Sequence, residues 1–122
     1  MIVEDNDDLR FYLKKTFASI YTVIDKPDGE SALEYLQDKS VDLIISDVMM
    51  PGIQGDELCR RIKSDFTTSH IPVILLTAKT EKDAILEGLE SGANDYLTKP
   101  FDTEILKTKI KEIGRASCRE RV

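Results

Sequence analysis

Histidine and cysteine are nearly absent from this chain, with one and two respectively among 122 residues. A lone His70 cannot build a histidine-based metal site, and it is expected to be an exposed loop residue. Cys59 and Cys118 stand far apart with no CxxC or Cys/His spacing, so neither a zinc motif nor a disulfide framework is indicated. Cys59, beside Leu58 and Ile62, is expected to behave as a small buried hydrophobe. Long apolar runs are missing too: nothing approaches the roughly 18–20 residues of a bilayer span, and no secretory pattern opens the chain. The expectation is a cytoplasmic domain that makes no membrane contact. No glycine-rich ATP-binding motif occurs either.

Positive charge is also in short supply. Seventeen Lys and Arg face 23 Asp and Glu, a net charge of −6. The last nine residues, GRASCRERV, hold three Arg and one Glu, so without them the balance is 14 − 22 = −8. An acidic globule repels phosphate backbones, which argues against direct nucleic-acid binding. With 41% hydrophobic and 33% charged residues, the composition suits a single globular domain.

Hydrophobic periodicity alternates between two kinds of segment. MIV is a strand stub, followed by the acidic EDNDD and then Leu9, Leu13, Phe17 and Ile20 at helical spacing, with Asn6 or Asp7 as cap. YTVI is a strand candidate. Asp28 caps a second helix that points Ala32, Leu33 and Leu36 inward. VDLII and PVILLT are strands without polar alternation, as in a parallel sheet covered on both faces. Leu58, Cys59 and Ile62 mark a helix between them. Thr80 caps a helix through Leu89, bearing Ala84, Ile85 and Leu86; Gly92 ends it before the strand NDYLT. Asp102 caps a last helix using Ile105, Leu106, Lys109 and Ile113. Five strand–helix alternations predict a doubly wound α/β fold with a five-stranded parallel sheet and five helices.

Ligands of such sheets sit beyond the carboxyl ends of the strands. There the first strand ends in Glu4 and Asp5, the third in Asp47 and the fourth in Thr77, while the fifth leads into Lys99. Taken singly, each has an ordinary account: a cap or turn former, a packing threonine, a solvated lysine. Together they place three carboxylates, a hydroxyl and an ammonium on one rim. Clustered carboxylates repel unless a cation shares them, and hard oxygens with water access suit Mg²⁺. Lys99 and Thr77 supply the groups that hold phosphoryl oxygens during transfer. Asp47 is then a nucleophile that forms an aspartyl phosphate.

Through VEDN, DLIISDVMMPG, IPVILLTA and GANDYLTKPF, in that order, residues 1–113 resemble a receiver domain of the bacterial two-component response-regulator family. The resemblance implies a flavodoxin-like receiver fold. It makes Glu4 and Asp5 the metal-binding acid pair, Asp47 the phosphoacceptor and a Mg²⁺ ligand, and the Met49 backbone carbonyl a further ligand. It makes Thr77 the switch hydroxyl, Tyr96 the switch aromatic and Lys99 the phosphoryl-binding lysine, with Lys99-Pro100 cis, an isomer that only X-Pro makes cheap. Ala78 leaves room for the phosphoryl group, and Met49 and Lys79 flank the path of attacking water. The implied partners are a histidine kinase or phosphotransfer domain, and an output domain reached through the fourth helix, fifth strand and fifth helix. An activation-dependent dimer is among the implied arrangements.

An aspartate-nucleophile Mg²⁺-dependent phosphatase is the enzymatic alternative, but Met49 stands where its second aspartate belongs. A pseudo-receiver that binds partners without phosphorylation is the other; the complete set Glu4, Asp5, Asp47, Thr77 and Lys99 argues against it. Two departures from the family stand out. Almost nothing precedes VEDN, which predicts a short first strand, and Gly114 is expected to break the last helix. Residues 114–122 are therefore expected to be an appended tail outside a 1–113 domain.

Overall fold

The computed structural model describes residues 1–78 and 92–120, with side chains described to residue 113. The helix expected from Thr80 to Leu89, and Lys79, lie outside the described residues. The elements are β1 (Ile2–Val3), α1 (Asp7–Phe17), β2 (Asp25–Lys26), α2 (Gly29–Asp38), β3 (Ile44–Asp47), α3 (Gly55–Ser64), β4 (Val73–Thr77), β5 (Asp95–Thr98) and a C-terminal helix α4 (Thr103–Glu120). All strand pairs are parallel, in the order β2-β1-β3-β4-β5. The doubly wound α/β architecture anticipated from the sequence is present, a five-stranded parallel sheet with four helices among the described residues.

Strand direction of side chains explains the two-sided core. Val3, Ile44, Val73 and Leu75 point to a layer completed by Ala32 and Leu36 of α2 and Leu58, Cys59 and Ile62 of α3. Their neighbours Ile2, Ile45, Ile74 and Leu76 point the other way, onto Leu13 and Phe17 of α1 and Leu106 and Ile110 of α4. Each such Leu or Ile contributes about 1.5–3 kcal/mol on burial. The helices start where the sequence places caps. Asn6 Oδ1 accepts from Leu9 N at 3.0 Å, and Asp28 Oδ1 from Ser31 N at 2.7 Å. Acids open α1 and α3 and bases close them, in line with the helix dipole.

Several expectations need correction. YTVI is not the second strand; β2 forms at Asp25–Lys26. Its ladder partner β1 supplies only Ile2 and Val3, which register against Asp25 and Lys26, so of YTVI only Ile24 touches the ladder, its carbonyl accepting from Ile2 N at 2.8 Å. An apolar groove of about 1030 Å³ lies there instead, lined by Met1, Ile20, Tyr21, Val23, Val41 and Leu43 among others. Ile20, beyond the end of α1, is exposed. In α4 the buried stripe is Leu106–Ile110 with Ile113 packed alongside, whereas Ile105 is 50% exposed. Lys109 pairs with Asp95 at 2.9 Å. Gly114 does not stop α4, whose backbone stays helical to Glu120. One glycine costs a helix only about 1 kcal/mol relative to alanine, less than the flanking helix formers recover.

Candidate functional site

The chain runs from β1 outward to β2 on one side, then returns to place β3 on the other, so the strand order reverses between β1 and β3. A crevice opens at such a reversal beyond the strand ends. Glu4 and Asp5 follow β1 into it, and Asp47 is the last residue of β3. One carboxylate oxygen from each of the three lies within 4.8 Å of the others. Glu4 and Asp47 are buried at 1% and 5% exposure, and Asp5 is exposed, giving the cluster a wet side.

Lys99 reaches in from beyond β5. Its Nζ stands 3.1 Å from Asp47 Oδ2 and 3.7 Å from Glu4 Oε2. The Lys99-Pro100 peptide is cis, as the resemblance implied, and Lys99 N donates to Thr77 O at 2.6 Å, tying the lysine to the end of β4. Thr77 is itself buried, and Asp47 registers against Leu76, one residue before it. One ammonium against three carboxylates leaves the cluster short of positive charge. Burial, reinforced by the negative charge of Asp47 and opposed by Lys99, pushes the Glu4 carboxyl up to about 7. Among the described residues its buried Oε2 has no hydrogen-bond partner.

The donor set fits a hard divalent cation. All three groups offer oxygen, one side is open to water, and among the described residues the buried Glu4 Oε2 makes no hydrogen bond and has only the Lys99 ammonium, at 3.7 Å, as a counter-charge. The sequence-predicted residues Glu4, Asp5, Asp47 and Lys99 thus converge, with Thr77 adjacent. Met49, two residues beyond Asp47, has an exposed side chain. Tyr96 registers against Leu75, two positions before the rim pair Thr77 and Thr98, and packs half-buried on the layer below α2 and α3.

Two residues around the site carry no sequence signal of their own. Arg10 Nη1 donates to Glu4 O at 2.9 Å, with its Nε 3.2 Å from Asp25, which fixes the turn between β1 and α1. Glu30 accepts from Ile53 N at 3.0 Å across 23 residues of sequence. Arg10 lies one turn into α1 and Glu30 in the first turn of α2, positions where a charged residue is ordinarily read as helix surface.

The family model described as response regulator receiver domain matches residues 1–111. Over 113 residues the chain is 44% identical to Histidine kinase P4 of Formosa agariphila, covering 93% of this chain and 8% of that protein. It is 40% identical over 116 residues to the response regulator PleD of Caulobacter vibrioides, covering 94% of this chain and 26% of PleD. The chain therefore spans a small fraction of these curated relatives. Among solved structures, the signal receiver domain of a signal transduction histidine kinase from Syntrophus aciditrophicus superposes with a TM-score of 0.87 at 35% identity. That match covers 94% of this chain and 88% of the other.

Proposed function

Because the chain belongs to the response regulator receiver domain family, we propose that Asp47 is its phosphoacceptor, in a site completed by Glu4, Asp5, Thr77 and Lys99. The observation that carries this reading is the convergence of three carboxylates and one ammonium at the strand-order reversal, with a buried Glu4 oxygen that makes no hydrogen bond among the described residues.

Glu4, Asp5, Asp47 and the Met49 backbone carbonyl would hold Mg²⁺, which when bound offsets the charge of the acid cluster and of phosphoryl oxygens. An Asp47 carboxylate oxygen attacks phosphorus of a partner's phosphohistidine. The new O–P bond forms as the P–N bond breaks, and the histidine nitrogen leaves with the electron pair. Lys99, already 3.1 Å from the Asp47 carboxylate, moves its charge onto the incoming phosphoryl oxygens. Thr77 donates its hydroxyl to one of them. Hydrolysis of the acyl phosphate at the same site returns the domain to its resting form, so the domain catalyses its own loading and unloading while serving as a signalling element.

Engagement of Thr77 lets Tyr96 turn inward, shifting a pre-existing equilibrium by the differential contacts of the two states. The surface that changes is the segment between β4 and β5, β5 itself and α4, where an output domain, downstream partner or second copy docks. The domain meets its kinase or phosphotransfer partner in the cytoplasm. Among the described residues no helix is long and apolar enough to cross a membrane. The parent is a response regulator or a hybrid histidine kinase. Residues 1–113 form the functional unit, supported by the family match ending at residue 111.

Fluorine NMR with beryllofluoride tests the site. Bound fluoride resonances should appear only with Mg²⁺ and vanish in Asp47→Asn; resonances that persist in Asp47→Asn would overturn the assignment.

A further inference from the structure

We propose that Glu30, in the first turn of α2, is a positioning residue for the loop between β3 and α3, holding Met49 and the end of β3 in cation-binding register. The inference rests on the reading of Met49's carbonyl as a cation ligand.

That loop is closed at its base by two backbone bonds: Val48 N donates to Leu76 O, and Gly55 N to Val48 O, both at 2.9 Å. Between them the chain turns through Gly52 at φ +74°, a left-handed conformation that a side chain would strain. The outer limb is braced from a different element. Ile53 N donates to Glu30 Oε1 at 3.0 Å on the exposed side of the loop, a charge-assisted bond that fixes geometry while water screens part of its strength.

Steric contacts press from the same direction. A Cβ added at Gly29 would lie 3.0 Å from Ile53 Cβ and 3.1 Å from Ile53 O, and one at Gly52 would run into the Glu30 carboxylate. On the far side, a Cβ at Gly55 would collide with the carbonyl of Asp47. The loop is therefore wedged between the first turn of α2 and the backbone of Asp47 itself. Releasing the Glu30 brace frees the limb that carries Ile53, across the Gly52 turn from Met49, and the displacement reaches Asp47 and Met49 through Gly55, which donates to Val48 O and packs on the Asp47 carbonyl.

An acid in a first helical turn also complements the helix dipole. The two roles separate by substitution: Glu30→Gln keeps an acceptor oxygen for Ile53 N and discards the charge, whereas Glu30→Ala discards both. Mg²⁺ titrations of the full chain, followed by amide NMR, compare these with wild type and Asp5→Asn. Glu30→Ala should bind Mg²⁺ about tenfold more weakly, the scale on which groups supporting a metal ligand act. Glu30→Gln should stay close to wild type, and Ile53 amide exchange should rise in the alanine variant alone. Wild-type affinity in Glu30→Ala, with affinity lost in Asp5→Asn, overturns the positioning role and leaves the acid site standing. Equal weakening in Glu30→Gln and Glu30→Ala also overturns it, since charge and not the hydrogen bond would then act. If Asp5→Asn binds as wild type does, the cation site falls and the positioning role with it.

Discussion

Replacing Glu4 by glutamine should make the metal-free domain more stable while weakening the cation site, because the buried carboxylate is retained at a cost to the fold. In the folded protein its pKa rises from 4.5 to about 7, driven first by burial and then by the charge of Asp47. A carboxyl whose folded pKa lies above its unfolded value contributes stability in the protonated form. That contribution is complete below the unfolded value and is lost as pH climbs through the folded one. At about 1.4 kcal/mol per pKa unit the loss is about 3 kcal/mol, and water at the exposed Asp5 side screens it to roughly 2 kcal/mol. Glutamine mimics the neutral acid and escapes the loss. The assay is urea unfolding in EDTA from pH 4 to 8, read as variant minus wild type. The difference form matters because the N-terminal ammonium, which donates to Leu43 O at 2.7 Å and is pushed down to about 6 by burial, titrates in the same window with opposite sign. It cancels in the subtraction. The variant's advantage should be near zero below pH 4.5 and reach its full value above pH 7, and Mg²⁺ should raise the stability of wild type more than that of the variant. A difference that is flat with pH, or that favours wild type in EDTA at pH 8, would refute the reasoning.

Lys99→Met removes the charge that holds Glu4 down, so the Glu4 midpoint, followed by carboxyl carbon NMR in EDTA, should climb above its wild-type value. Leu106→Ala should cost about 3 kcal/mol in urea unfolding by opening a cavity beneath α4, and Ile105→Ala less than about 1 kcal/mol; equal costs would contradict the assigned helix face. Met49→Asn gives the site rim an amide that can orient water where an apolar side chain cannot. The phosphorylated form should then decay severalfold faster after donor removal, with Mg²⁺ affinity little changed because the contact assigned at this position is backbone.

The sheet was legible because its central strands announce themselves. PVILLT and VDLII lack alternation, and the strands they yield are buried throughout, as two-sided coverage demands. YTVI misled for a physical reason: its β-propensity is real, but a strand needs a ladder partner, and β1 offers only two residues. Ile105 and Leu106 are equally apolar, so only the position of Ile110 and Ile113 one and two turns on decides which faces inward. The acid cluster was legible because Glu4, Asp5, Asp47 and Lys99 each sit at a strand's carboxyl end, where topology alone brings them together. Arg10 and Glu30 act through backbone groups of other segments. Such contacts depend on how helices pack against loops, and spacing along the chain does not encode them.

The most direct test of the account is to locate the covalent bond. The chain is incubated with a small-molecule phosphodonor and Mg²⁺, the acyl phosphate is reduced with borohydride, and the modified residue is mapped by peptide mass spectrometry. The account predicts homoserine at position 47, absent in EDTA and in Asp47→Asn. Reduction product at another acid, or an equal yield without Mg²⁺, would contradict it.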